Sequence, residues 1–142
     1  MLNSWLFWAS LSAVFAALMS IFAKLSLQKI DPDAAQFLRT TIVLAIMALM
    51  VAPNGKWNEI QHWSGRTWLL LTLSAVATAA SWLCYFRALD VGEATRVAAV
   101  DKMSVAIVAV AAAVFLSERV GMLGWCGVIL VSIGLVMLSL KS

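Results

Sequence analysis

The sequence predicts an all-α integral membrane protein, a bundle of about five transmembrane helices, on three observations. Apolar residues make up 63% of the 142 and charged residues 12%, against roughly 45–50% and about 25% in soluble domains. A soluble fold this small leaves too much area exposed to hide that excess, so lipid is its natural solvent. The apolar residues also gather into long stretches separated by short polar breaks. Each stretch can cross a hydrocarbon core of roughly 30 Å as a helix and far exceeds the ~10 residues of a barrel strand. An open strand cannot satisfy its backbone in lipid, which leaves helices.

The first stretch, residues 2–23, holds no charge and is closed by Lys24 and Lys29. It lacks a basic leader and is too long for a signal-peptide core, so it reads as a retained helix. Asp31-Pro32-Asp33 is a turn and helix-start signal. The second stretch, 34–52, carries Arg39 near its start and stops at Pro53-Asn54-Gly55. The polar segment 56–66 carries Trp57, Ile60 and Trp63, which suits either a short helix in the headgroup layer or a loop with interfacial tryptophans. The third stretch, 67–89, is uncharged until Arg87 and is broken by Asp90, Gly92 and Glu93. The fourth, 94–116, contains Asp101 and Lys102 and ends at Ser117-Glu118-Arg119. The fifth, 120–140, is uncharged, with Lys141 after it. Residues 1–142 are thus expected to form a single transmembrane domain.

Short connections make neighbouring helices antiparallel. Trp5, Trp8, Trp57, Trp63, Trp68 and Trp125 then fall near the face that holds the N-terminus, as an aromatic belt. The formal net charge is +3, but the basic residues are scattered at membrane edges without a basic run, so no nucleic-acid partner is expected. Cys84 and Cys126 lie inside apolar segments and behave as small apolar side chains. His62 stands alone in a loop, and no nucleophile elbow, phosphate loop, metal-spaced cluster or close carboxylate pair is present. No enzyme activity, metal or cofactor is expected.

The unusual residues are charges inside the helices. Arg39, Asp101 and Lys102 lie about 8–12 Å along their helices from the face opposite the N-terminus, and Arg87 is nearer that face. A charge facing lipid costs about 2.5–3.5 kcal/mol even on the lenient scale, so the bundle interior is the cheaper place. Asp101 must be paired or protonated there. Arg39 is its first candidate partner and Lys102 and Arg87 are lesser ones, because adjacent side chains point about 100° apart on a helix. Arg87 reads as an ion-pair member or a snorkelling end residue. In the third helix Ser74, Thr78, Ser81 and Tyr85 share one face, with Trp82 beside them as a flat wall. Such a face either lines a pathway or joins helices by hydrogen bonds. Ala9, Ala13 and Ala17, then Ala109, Ala113 and Ser117, and Gly127 with Gly134 are close-packing faces.

The segment Trp82–Arg119 has an aromatic helix ending Tyr85-Phe86-Arg87-Ala88-Leu89, a Gly/Ala turn, and an Ala/Val helix ending Ser117-Glu118-Arg119. With the Phe37-Leu38-Arg39 start of the second helix and the spaced glycines of the fifth, it resembles the EamA repeat of the drug/metabolite transporter superfamily over essentially the whole chain. The resemblance implies one half of a ten-helix inverted-repeat transporter, of the small single-repeat bacterial and archaeal group. It implies movement, often export, of a small metabolite or drug-like solute across the cell (inner) membrane by a multi-pass protein. It also implies assembly as an antiparallel homodimer or with a sibling chain. Arg39, Trp82, Tyr85 and Asp101 would face the central cavity, with Ser74, Thr78, Ser81 and Lys102 along the same pathway. The alternative is a non-transporting membrane subunit, including a lipid-carrier flippase subunit.

Lys56, Arg66 and Arg119 lie on the N-terminal face, and Lys24, Lys29, Arg39, Arg87, Arg96 and Lys141 on the other. The positive-inside rule puts the second face in the cytoplasm, but Arg39 and Arg87 drop out of the count if they serve a cavity. Reporter fusions at the C-terminus are therefore expected to show a C-in bias with a detectable inverted fraction.

Overall fold

A computed structural model describes residues 4–28, 30–54, 60 and 62–140. All regular structure among the described residues is helical, in five segments long and apolar enough to cross a membrane. They are α1 (Trp5–Ser26), α2 (Pro32–Val51), α3 (Gly65–Val91), the pair α4 (Ala94–Lys102) and α5 (Ser104–Phe115), and α6 (Met122–Ser139). A 3-10 turn, Ala52–Asn54, follows α2. Large apolar side chains remain exposed throughout: Phe115 is 84% exposed and Leu123 87%. That surface is tenable only against lipid or further protein.

The contacts divide the chain into two compact units. One comprises Leu25–Asp90 and holds α2 and most of α3. Asp31 caps α2, its carboxylate accepting from the Ala34 N–H at 2.9 Å, with Pro32 in the first turn. Proline has no N–H to waste at that position. This cap starts α2 two residues before the expected Ala34. Ser64 does the same for α3: its Oγ accepts from the Thr67 N–H at 3.2 Å and lies 2.9 Å from the Thr67 hydroxyl. The helix therefore begins at Gly65 rather than Thr67. Leu27, Gln36, Tyr85, Phe86 and Leu89 are the buried residues of this unit. Trp63 and Trp68 lie together, ring centroids 6.1 Å apart, at the entry to α3, consistent with a belt there. The expected headgroup segment around Trp57 falls on residues outside the described set, apart from Ile60 and residues 62–66.

The other unit comprises Met1–Lys24 and Val91–Ser142. Lys24 donates from Nζ to the Gly92 carbonyl at 3.0 Å, tying the end of α1 to the turn that opens the fourth span. Glu93 stands at the N-cap of α4 and pairs with Arg96 at 3.1 Å. The helix α6 packs along both α4 and α5.

The fourth span was expected to be continuous and is not. At Met103 the turn tightens: the Met103 N–H donates to the Val100 carbonyl at 3.1 Å, and the Ala106 N–H to the Met103 carbonyl at 3.0 Å. These are 3-10 bonds in mid-span. Met103 keeps right-handed angles, φ −61° and ψ −18°, so the path tightens without ending.

The span closes with a second local device. Ser117 has φ 56°, and the Glu118 N–H reaches back to the Ala112 carbonyl at 3.2 Å. A left-handed residue just past the helix, followed by an N–H that turns back onto a last-turn carbonyl, closes the helix end; a left-handed position favours glycine because a Cβ crowds the next carbonyl. Ser117→Gly is expected to raise stability by about 1 kcal/mol. Ser117→Val is expected to lower it, both read as shifts in mixed-micelle unfolding midpoints.

Candidate functional site

In the unit Leu25–Asp90, α2 and α3 enclose an elongated groove of about 500 Å³. That lies within the roughly 300–1,000 Å³ range of small-molecule sites. Its walls are mainly apolar, with Phe37, Leu71, Ala75, Ala79, Trp82 and Leu83, and its polar groups come from Asp33, Gln36, Thr40, Ser74 and Thr78. Helical spacing explains the set: 33, 36/37 and 40 form one face of α2, and 71, 74/75, 78/79 and 82 one face of α3. The Thr78 hydroxyl is turned onto the Ser74 carbonyl at 2.8 Å, and the Thr40 hydroxyl onto the Gln36 carbonyl at 2.8 Å. Both threonines thus present a methyl as well as an oxygen.

Two charged arrangements flank the groove. Arg87 grips Asp33 through two parallel bonds, Nε to Oδ1 at 2.9 Å and Nη2 to Oδ2 at 2.7 Å. This fork satisfies a carboxylate in both geometry and charge, and it joins the start of α2 to the end of α3. Arg39 is held differently. Its guanidinium carbon lies 4.4 Å from the centre of the Trp82 ring and 5.6 Å from that of Phe86. Its one hydrogen bond is a long one, 3.4 Å, to the side-chain oxygen of Gln36. Gln36 is itself buried and also donates to Thr40 Oγ1 at 3.0 Å. Among the described residues no carboxylate stands within ion-pair distance of Arg39.

The EamA-like transporter family matches residues 3–140. The chain belongs to that family. An "Uncharacterized transporter in cobO 3'region" from Sinorhizobium sp is 46% identical over 139 residues, which cover 98% of this chain and 99% of that relative. No solved structure matches this EamA-like chain significantly. Five spans in this family identify a multi-pass membrane transporter of the drug/metabolite type.

Of the residues singled out in sequence, the structure brings Ser74, Thr78 and Trp82 into the groove; Arg39 lies against Trp82 without being a lining residue itself. Ser81 is exposed and is not among the groove's lining residues, and Tyr85 is buried. The groove face of α3 therefore runs through 71, 74/75, 78/79 and 82, and leaves out Ser81 and Tyr85. Asp101 and Lys102 belong to the other unit, where they pair with each other: Lys102 Nζ donates to Asp101 Oδ2 at 3.0 Å. Within this unit the partner of Asp101 is thus Lys102, one of the lesser candidates, where Arg39 was expected first. The long, flexible lysine stem lets the ammonium bend across the angle that separates two adjacent helical side chains. Arg87 likewise takes Asp33. Sequence reading missed Asp33, Gln36, Phe37 and Thr40, though their i, i+3/i+4, i+7 spacing was available. Among the described residues no three His, Cys, Asp or Glu side chains gather as a metal site.

Arg39 and Trp82 should be energetically coupled. A double-mutant cycle with Arg39→Gln and Trp82→Leu is expected to give about 0.5–1 kcal/mol of interaction, the range for a partly exposed guanidinium on an indole face. Unfolding in mixed micelles measures it, and Trp82→Phe should retain part of the coupling.

Proposed function

We propose that this chain is a half-size secondary transporter that exports a small metabolite or drug-like solute across the cell membrane. It works as a pair of oppositely oriented copies, or with a sibling chain, each chain contributing a single transmembrane domain. The observation that carries this reading is the groove between α2 and α3, apolar with a few placed polar groups and a guanidinium at its wall. A midplane site between two inverted halves is the usual arrangement of such transporters, and a five-span chain supplies one half. Inside the membrane, Asp101 is the proposed coupling carboxylate, exchanging Lys102 for another cation or a proton as solute binds.

The purified chain in liposomes is expected to show counterflow of a loaded solute, and cross-linking in detergent to trap a dimer. No solute movement in liposomes or in cells would favour the non-transporting or flippase-subunit role. Monomer alone with transport intact would sink the pairing. Asp101→Asn should reach the membrane at normal levels yet lose transport or its pH dependence. A purely structural pair would instead give low membrane levels, restored when Lys102→Gln is added.

A further inference from the structure

We infer that the groove between α2 and α3 takes an organic anion, a flat or apolar body carrying one carboxylate or phosphate-type group, with Arg39 as its charge-binding residue. The inference rests on reading the groove as the solute site and names the class of solute it accepts.

The argument is one of local charge and donor supply. The two groups that flank the groove, Asp33 and Arg87, cancel one another through a bidentate fork. Arg39 is not itself among the lining residues, but its guanidinium lies against Trp82, which is, and among the described residues it has no ion-pair partner. A guanidinium has five N–H donors, and the long bond to Gln36 uses one of them. The guanidinium carbon lies 4.4 Å from the Trp82 ring centre and 5.6 Å from that of Phe86, and among the described residues only Gln36 accepts from its donors. A guanidinium held against aromatic rings with donors to spare is suited to a carboxylate or phosphate. Gln36 and Thr40 fix its position from below, since buried Gln36 is bonded to both. Beyond the charge, the groove offers Phe37, Leu71, Ala75, Ala79 and Leu83, surface that suits a hydrocarbon or aromatic body and offers a second cation nothing unpaired.

The same chemistry could come from a soluble organic acid or from a phospholipid headgroup, and the test separates the two. The full-length chain is placed in phosphatidylcholine nanodiscs. Binding is measured by equilibrium dialysis for three probes with one naphthalene body: 1-naphthoate, neutral 1-naphthamide and cationic 1-naphthylmethylamine. Naphthoate is expected to bind about 10- to 100-fold more tightly than the amide, the worth of charged hydrogen bonds in a partly desolvated site. Arg39→Gln is expected to erase that preference while leaving amide binding unchanged. Arg39→Lys should keep a part of it, and Arg66→Gln, a charge at the start of α3 outside the groove, should leave it intact. Equal binding of acid and amide, or tighter binding of the amine, overturns the inference. Native mass spectrometry gives the lipid arm: phosphatidylglycerol retained by the unsubstituted chain and lost in Arg39→Gln, without naphthoate discrimination, would overturn the solute and assign the anion to a headgroup. Liposome counterflow is run in parallel. Movement of neutral or cationic solutes with no effect of naphthoate sinks the anion class and leaves the transporter reading standing. Naphthoate binding without movement of any solute does the reverse.

Discussion

In hydrocarbon no water is available to satisfy a backbone N–H or carbonyl, so every segment must complete its hydrogen bonds within itself. That constraint accounts for the helices, for their capped starts at Asp31 and Ser64, and for the closed stop at Ser117. It also explains why the one irregularity inside a span remains hydrogen-bonded. At Met103 two bonds span three residues in place of four, so its N–H and carbonyl both keep partners. With the backbone internally satisfied, side chains are free to face lipid, and most do.

The charges show three solutions to one problem. Arg87 and Asp33 form a forked pair between two helices. Lys102 and Asp101 form a pair between neighbours in sequence. Arg39 has an aromatic bed in place of a counter-ion. The first two arrangements are locally neutral. The third keeps a net charge beside an apolar groove, and it is this asymmetry that gives the α2–α3 face chemical character.

Much of this was legible in the sequence. Long apolar runs bounded by Lys24, Pro53, Gly92 and Ser117 locate the spans, because lipid tolerates few charges within them, and the order of motifs from Tyr85 to Arg119 points to the family. Local capping was less legible: Ser64 and Pro32 extend their helices beyond the apolar stretch, since a cap acts on polar residues that hydropathy assigns to loops. The site was legible in part. Trp82, Thr78 and Arg39 stand out by type, but Gln36 and Phe37 do not, and only the facing of α2 on α3 turns them toward the groove. The partner of Asp101 was legible only as a lesser candidate, because an ideal helix points adjacent side chains about 100° apart and does not show how far a lysine stem can bend.

The change of pitch at Met103 bears on how the chain enters the bilayer. The helix α5 has 12 residues, about 18 Å of length at 1.5 Å per residue, well short of a hydrocarbon core of roughly 30 Å. The missing length comes from α4, which carries Arg96, Asp101 and Lys102. During synthesis the fourth span therefore presents an apolar half too short to partition alone and a charged half that resists partitioning. The Asp101–Lys102 pair makes that half locally neutral, and α6 packs along both halves. The fifth span is in this sense a partner to both halves of the fourth.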